Sequence, residues 1–274
     1  MKDQDLSWER IRTEIIFNFL ISVKRLAKRF KPDTFVFAWD SRRNLRKKIM
    51  PEYKIGRDPV DKTDEEKRLD KISFQQFTEL RMEVLPSLGF KNVLMQSGFE
   101  GDDVIASVVM NNKGKFVVVS ADGDLYQLLP FCNMYNPIIN VMRTDTTFRE
   151  KWDINPSRWW EVKALAGCGG GKNKVGDNVQ GIPGVGETTA IKYLTGKLRH
   201  STATFKKIES REGKKTKHRN RRIVKLPFEG TKTFTIQKEE LYARDFIGVF
   251  DQYGFKSFTY KKEFREWTEL FHLR

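Results

Sequence analysis

The sequence predicts an α/β fold, a mostly parallel sheet with flanking helices, followed by a helical region. Two observations carry this expectation. Short apolar runs of strand length, "TFVFAW", "KNVLMQ" and "KFVVVS", alternate with longer amphipathic stretches in the first half, the pattern of a parallel sheet with crossover helices. Beyond Trp152 helical patterns dominate. A chain of 274 residues with 39% hydrophobic residues can bury one sizeable α/β core plus an appendage, or two domains. We place the α/β domain at 1–150 and the helical region at 151–274.

The elements follow in order. The opening stretch through Phe30 sets Trp8, Ile11, Ile15, Phe19, Val23, Leu26 and Phe30 near helical spacing, with charges between them. It reads as a core-facing helix, too charged to cross a bilayer. "TFVFAW" is a buried strand ending at Asp40. A basic segment follows, and then Thr63 or Asp64 opens a long helix with acids in its first turn. "KNVLMQ" is a short strand, "GDDVIASVVMNN" a helix, and "KFVVVS" a buried strand running into Asp122 and Asp124.

Charge points to a polyanionic partner. Lys+Arg 51 against Asp+Glu 36 gives a net +15, and the excess is patchy. The segment Gly196 to Leu226 holds twelve Lys/Arg and two Glu; Ser41 to Lys54 holds six and one. Arg42, Arg46 and Lys47 in the latter patch are candidate DNA contacts. Two cysteines, Cys132 and Cys168, offer neither a disulfide framework nor a zinc quartet, and the three histidines give no nucleophile or zinc scheme.

Carboxylates are the strongest chemical signal. Glu100, Asp102 and Asp103 open a helix, Asp122 and Asp124 follow a buried strand, and Asp40 ends another. Ligands of parallel sheets gather beyond the strands' carboxyl ends, so these groups should converge on one edge. Like charges tolerate one another there when a divalent cation binds between them, and oxygen-only ligands select Mg²⁺ or Mn²⁺. Taken singly, the same residues also suit helix caps and turns.

"GCGGGKNKVGDNVQGIPGVG" contains two glycine-rich elements. The first is no P-loop: Ala166 stands where the motif needs its first glycine, and Asn173 where it needs Ser or Thr. In the second, Pro183 presets a turn and Gly184 and Gly186 admit close backbone approach before a helix begins at Glu187 or Thr188. A helix start of this kind, with Lys192 one turn on, has the shape of a helix-hairpin-helix clamp on a nucleic-acid backbone, over residues 177–194.

In this order "FVFAWD", "PEYKIGRD", "EGDD", "SADGDLYQLL", "VKALAG", "GDNVQGIPGVGETTA" and "RNRRIVKLP" resemble the 5′ nucleases, phage and bacterial 5′-3′ exonucleases and flap endonucleases, over roughly Thr34 to Pro227. The resemblance implies a PIN-like nuclease domain with an arch around 41–70, and a helical DNA-binding region with the hairpin, often holding K⁺, and the basic segment 196–226. It implies two Mg²⁺ or Mn²⁺ ions, one on Asp40, Glu100 and Asp102, the second amid Asp103, Asp122, Asp124 and Asp177. Lys54 and Arg57 would reach from the arch to the scissile phosphate, and Tyr53 would stack on a terminal base. Expected substrates are DNA with 5′ ends, flaps or nicks, including RNA-DNA primers, acted on by a cytoplasmic monomer in a bacterium or phage-infected cell, without a membrane. The alternative is a non-catalytic binder of branched DNA with a degenerate nuclease fold. Two departures stand out. The family opens on a strand ending in aspartate, which neither Asp3 nor Asp5 replaces, so an upstream segment or partner chain is expected to supply it. Lys174 stands three residues before Asp177, where the family has aspartate; with Gly167–Lys174 read as an insertion, Cys168 is the other occupant of that place.

Overall fold

The structure, a computed structural model, describes residues 13–55, 62–169 and 176–274. Along the chain these form α1 (Glu14–Phe30), β1 (Phe37–Trp39), α2 (Arg46–Ile49), α3 (Asp64–Glu79), β2 (Val93–Met95), α4 (Gly101–Asn111), β3 (Val117–Val119), β4 (Asn133–Asn136), β5 (Val141–Arg143) and α5 (Asp145–Trp152). There follow α6 (Trp159–Ala166), β6 (Gly167–Cys168), β7 (Val179–Gln180), α7 (Glu187–Leu194), α8 (Ala203–Glu209), α9 (Arg211–Val224), α10 (Ala243–Gln252) and α11 (Lys261–Phe271). Strands β1 and β2 form one pair and β6 and β7 another. No helix among the described residues is long and apolar enough to cross a membrane.

The chain divides into two compact units, interleaved in sequence: Met1–Phe37, Val60–Leu94 and Ile236–Arg274 in the first, Ala38–Pro59 and Met95–Thr235 in the second. The sequence-based boundary at 150 therefore falls inside α5, in the middle of the second unit.

In the first unit α1 packs against α3 and α11. Its fully buried stripe is Ile16, Leu20, Val23 and Ala27. The spacing read from the sequence named the half-buried shoulder of this face, Ile15, Phe19, Leu26 and Phe30, along with Val23; Trp8 and Ile11 lie outside the described residues. Helix α3 begins as predicted: Thr63 accepts from Glu66 N–H and the Glu66 carboxylate accepts from Thr63 N–H, a reciprocal cap. Phe246, Phe250, Phe258, Trp267 and Phe271 lie stacked, tilted or edge to face at centroid distances of 5.0 to 5.9 Å. Each such side chain contributes roughly 1.5–3 kcal/mol by burial.

The second unit carries the sheet β3-β4-β5. β3 pairs with β4 in parallel, Val118 opposite Met134, and β4 pairs with β5 antiparallel, Tyr135 opposite Met142. Between β3 and β4 runs a crossover containing the 3₁₀ segment Gly123–Leu128; β4 and β5 are joined by a tight turn, which only antiparallel strands permit. A core of Val118, Leu125, Leu128, Met134, Phe148, Trp159, Leu165 and Ile191 lies beneath. α9 is held by its buried face: Asn220 donates to Ala164 O and Gln180 O, and a Cβ on Gly213 would come within 2.2 Å of Lys207 O. Its opposite face leaves Arg211, Lys214, Lys215, Arg221 and Arg222 exposed.

Candidate functional site

Six carboxylates of the second unit line one cavity of about 140 Å³: Asp40, Glu100, Asp102, Asp122, Asp124 and Asp177, together with Lys54. Each is delivered by an element end. Asp40 follows β1 and accepts from Gly101 N–H at 2.6 Å, which ties that strand end to the first turn of α4. Glu100 and Asp102 flank that helix start. Asp122 leaves β3 and accepts from Asp124 N–H at 2.8 Å, so the turn-forming role and the cavity-lining role coexist. Asp177 is fixed by backbone, its carbonyl accepting from Lys54 N–H at 3.0 Å. Lys54 itself has φ +57°, a left-handed backbone conformation uncommon for a residue other than glycine.

Two lysines supply positive charge. The Lys54 ammonium donates to Glu100 and lies 3.9 Å from Asp177. Lys163, on α6, bridges Asp124 at 2.9 Å and Glu187 at 2.8 Å with only 14% of its side chain exposed. Burial works against that ammonium, but Asp124 and Glu187 prevail and hold it above the usual lysine range. For Asp102 the opposing charge of Lys54 is outweighed: burial, then Asp122, Glu100 and Asp40, push its carboxyl up to about 8. Burial, with Asp124 next, likewise raises the Cys168 thiol. The donor chemistry suits a hard divalent cation, yet among the described residues no three such groups are close enough together to hold one as they stand.

Four expectations need correction or fall outside the structure. Asp103, expected beside a metal, is 0% exposed and is not part of the cavity's lining. Its oxygens accept from Arg46 at 2.6 and 2.8 Å, from Glu100 N–H at 3.0 Å and from Phe228 N–H at 2.8 Å, leaving no lone pair for a cation. Arg46, expected on DNA, is 2% exposed; besides that fork its Nε donates to Ile223 O and its plane lies over Phe228. Tyr53, expected to stack on a base, is buried, with its hydroxyl donating to Glu100 at 3.1 Å. Arg57 lies outside the described residues. Arg42 and Lys47 are exposed.

Within 177–194 the structure has β7, the Pro183–Gly186 turn and one helix, α7. Gly184 has φ +84°, and neither Gly184 nor Gly186 would bring a Cβ within 4 Å of another atom, so the turn surface is open. Gly186 caps α7. The N–H groups of Gly186, Glu187 and Thr188 meet no acceptor among the described residues, as expected of a first helical turn. Thr188 and Lys192 are exposed on the same helix.

Residues 3–153 match the 5′-3′ exonuclease, N-terminal resolvase-like domain. The chain belongs to the 5′-3′ exonuclease family. It is 31% identical over 200 residues to DNA polymerase I of Mycobacterium tuberculosis, covering 69% of this chain and 20% of that protein. It is 27% identical over 228 residues to the 5′-3′ exonuclease of Buchnera aphidicola subsp. Schizaphis graminum, covering 81% of this chain and 69% of that one. The chain thus spans a fifth of the length of the polymerase relatives. Among solved structures, bacteriophage T5 5′-exonuclease with bound zinc superposes at TM-score 0.64 and 21% identity, over 77% of this chain and 80% of the other. The T5 flap endonuclease in a pseudo-enzyme-product complex with DNA and metal ions superposes at 0.65, also 21% identical, over the same shares. These likenesses establish the PIN-like α/β fold.

Two residues that hold the cavity's acids escape a reading of the sequence. Asn44 donates to Glu100 at 2.7 Å, and Lys163 joins Asp124 to Glu187. Lys163 lies in "VKALAG", a stretch singled out as family-like, but nothing local marks a lysine on an amphipathic helix as the partner of acids 39 and 24 positions away by numbering.

Proposed function

We propose that this chain is a divalent-metal-dependent 5′ nuclease that hydrolyses phosphodiesters near the 5′ ends or flaps of DNA. The observation that carries the reading is the cavity lined by six carboxylates from four places in the chain, together with Lys54. Asp40, Glu100 and Asp102 would hold one cation and Asp122, Asp124 and Asp177 the other. Such ions, when bound, activate water and stabilise a leaving oxygen.

The chain's own residues perform the remaining tasks. Lys54 brings an ammonium to the cavity, positioned to offset negative charge as it develops on a phosphate. Its hold on Glu100 also supplies part of the charge balance that the acids require. Gly184, Gly186 and the first N–H groups of α7 present donors to a duplex backbone. The exposed arginines and lysines of α9 add the sequence-independent attraction that a polyanion feels. DNA as the partner is supported by the net +15 charge and by the DNA complex of the structurally similar T5 flap endonuclease.

The test is release of a labelled 5′ flap from a branched duplex in Mg²⁺ or Mn²⁺, against the same mixture in EDTA. Metal-dependent release is the expected result. A cooperatively folded chain that binds the flap but leaves it uncut in either metal refutes the nuclease reading and leaves a binder of branched DNA.

A further inference from the structure

The geometry points to Lys163 as the positioning residue that sets the register between the hairpin and the carboxylate cavity, and hence which phosphodiester is cut. The inference rests on the nuclease reading above. Asp124 lines the cavity, and Glu187 is the first residue of α7, directly after the open Gly184–Gly186 turn. These two acids would repel. The Lys163 ammonium, within 2.9 Å of both, turns that repulsion into a closed bridge. Its own place is fixed by α6: the side chain is largely buried, and the ammonium lies over the Trp159 ring at 5.7 Å.

The consequence for the substrate follows from the kind of contact each part makes. Backbone N–H groups at a helix start hold phosphates without regard to base, so they cannot choose a cleavage position by sequence. The position must come from the distance between grip and cavity. Apolar packing of Val185, Ala190 and Ile191 holds the far side of the turn and helix in the core. Lys163 is the polar strut on the cavity side. Without it Asp124 and Glu187 separate, the start of α7 moves, and neighbouring phosphodiesters reach the acids.

The experiment compares wild type, Lys163→Met and Lys163→Arg on a flap duplex labelled at one end, with product lengths read on a denaturing gel. Wild type should give one dominant product. Lys163→Met should spread cleavage over adjacent phosphodiesters and lower kcat about 10- to 100-fold with the Kd for the flap duplex unchanged, and Lys163→Arg should restore the single product. A purely stabilising ion pair would lower the melting temperature and leave product lengths alone. Lys163→Met with a wild-type product pattern and kcat overturns the proposal. If that variant fails to fold, Glu187→Ala, altered at a more exposed position, must show the same spread or the proposal falls. If wild type binds without cutting, the nuclease reading fails by itself, and the register is read from a footprint. A boundary that moves along the duplex in Lys163→Met then supports the role, and an unmoved boundary overturns it. A wild type that neither binds nor cuts removes both.

Discussion

Replacing Arg46 with methionine tests the buried fork at the base of the acidic cavity. Arg46 is 2% exposed and Asp103 0%, and the substitution removes two charge-assisted hydrogen bonds to Asp103 and one to Ile223 O. Asp103 keeps its two backbone N–H donors but loses its counter-charge in a site without solvent. Removing one partner of a buried ion pair costs about 3–5 kcal/mol, most of it from the uncompensated charge left behind. At roughly 2–4 °C per kcal/mol for a domain of 150–250 residues, the melting temperature should fall by about 6–20 °C. Lys47→Met, one residue on and exposed, should stay within about 0.5 kcal/mol of wild type. Adding Asp103→Asn to Arg46→Met should recover part of the loss, since the amide oxygen still accepts a backbone N–H and the stranded charge is gone. Arg46→Lys should fall between, having the charge without the planar fork. The assay is calorimetry or circular dichroism melts beside a filter-binding titration with flap DNA. If Arg46→Met melts like wild type and loses DNA affinity as Lys47→Met does, Arg46 is a surface contact and the buried fork is wrong.

Asp122→Asn should abolish metal-dependent cleavage while flap binding holds or strengthens, because one negative charge facing the phosphates is lost; single-turnover rates unchanged from wild type would remove Asp122 from the site. Lys54→Ala should lower the chemical step by about 10²–10³ with a small change in Kd, whereas Gly186→Val, at φ −93° with open space around it, should weaken binding with little effect on the single-turnover rate at saturation. Equal losses of binding alone in both would contradict the separate roles. Glu266 accepts from Lys24 at 2.6 Å and Lys28 at 2.7 Å, and these bonds lower its carboxyl from 4.5 to about 2. A depressed pKa contributes stability that is complete above pH 4.5 and is lost as pH falls toward 2. The melting-temperature gap between wild type and Glu266→Gln should therefore close across that range; a gap independent of pH refutes the linkage.

What the sequence made legible was local. Apolar runs of strand length that end at or just before an aspartate mark strand ends by composition alone, and the strand-helix alternation then places Asp40, Glu100, Asp102, Asp122 and Asp124 on one edge. The same kind of signal located the Thr63 cap and the Pro183-Gly184 turn. Arg46 was misread because a basic run looks the same whether one of its members faces water or the core. Its partner Asp103 is 57 residues away, and the fork exists only after α2 and α4 have been brought together. Tyr53 fails for the same reason: whether an aromatic ring at a basic turn stacks on a base or packs inward against Met50 and Ile223 is decided by tertiary contacts. β4 and β5 went unnoticed because "NMYN" and "VMR" are shorter and more polar than a buried strand usually is.

The interleaving of the two units has a consequence for synthesis. The ion pairs that seat α11 against α1 join Lys24 to Glu263 and Glu266, residues 239 and 242 positions later. A ribosome delivers the whole of Ala38–Pro59 and Met95–Thr235 before α10 and α11 exist. At about 5–20 residues per second, the apolar stripe Ile16, Leu20, Val23 and Ala27 waits roughly 10–50 s for part of its cover. The nascent chain therefore carries a partly uncovered amphipathic helix through most of its translation, a target for a chaperone that holds apolar helices, while the acid-bearing unit can already close on itself.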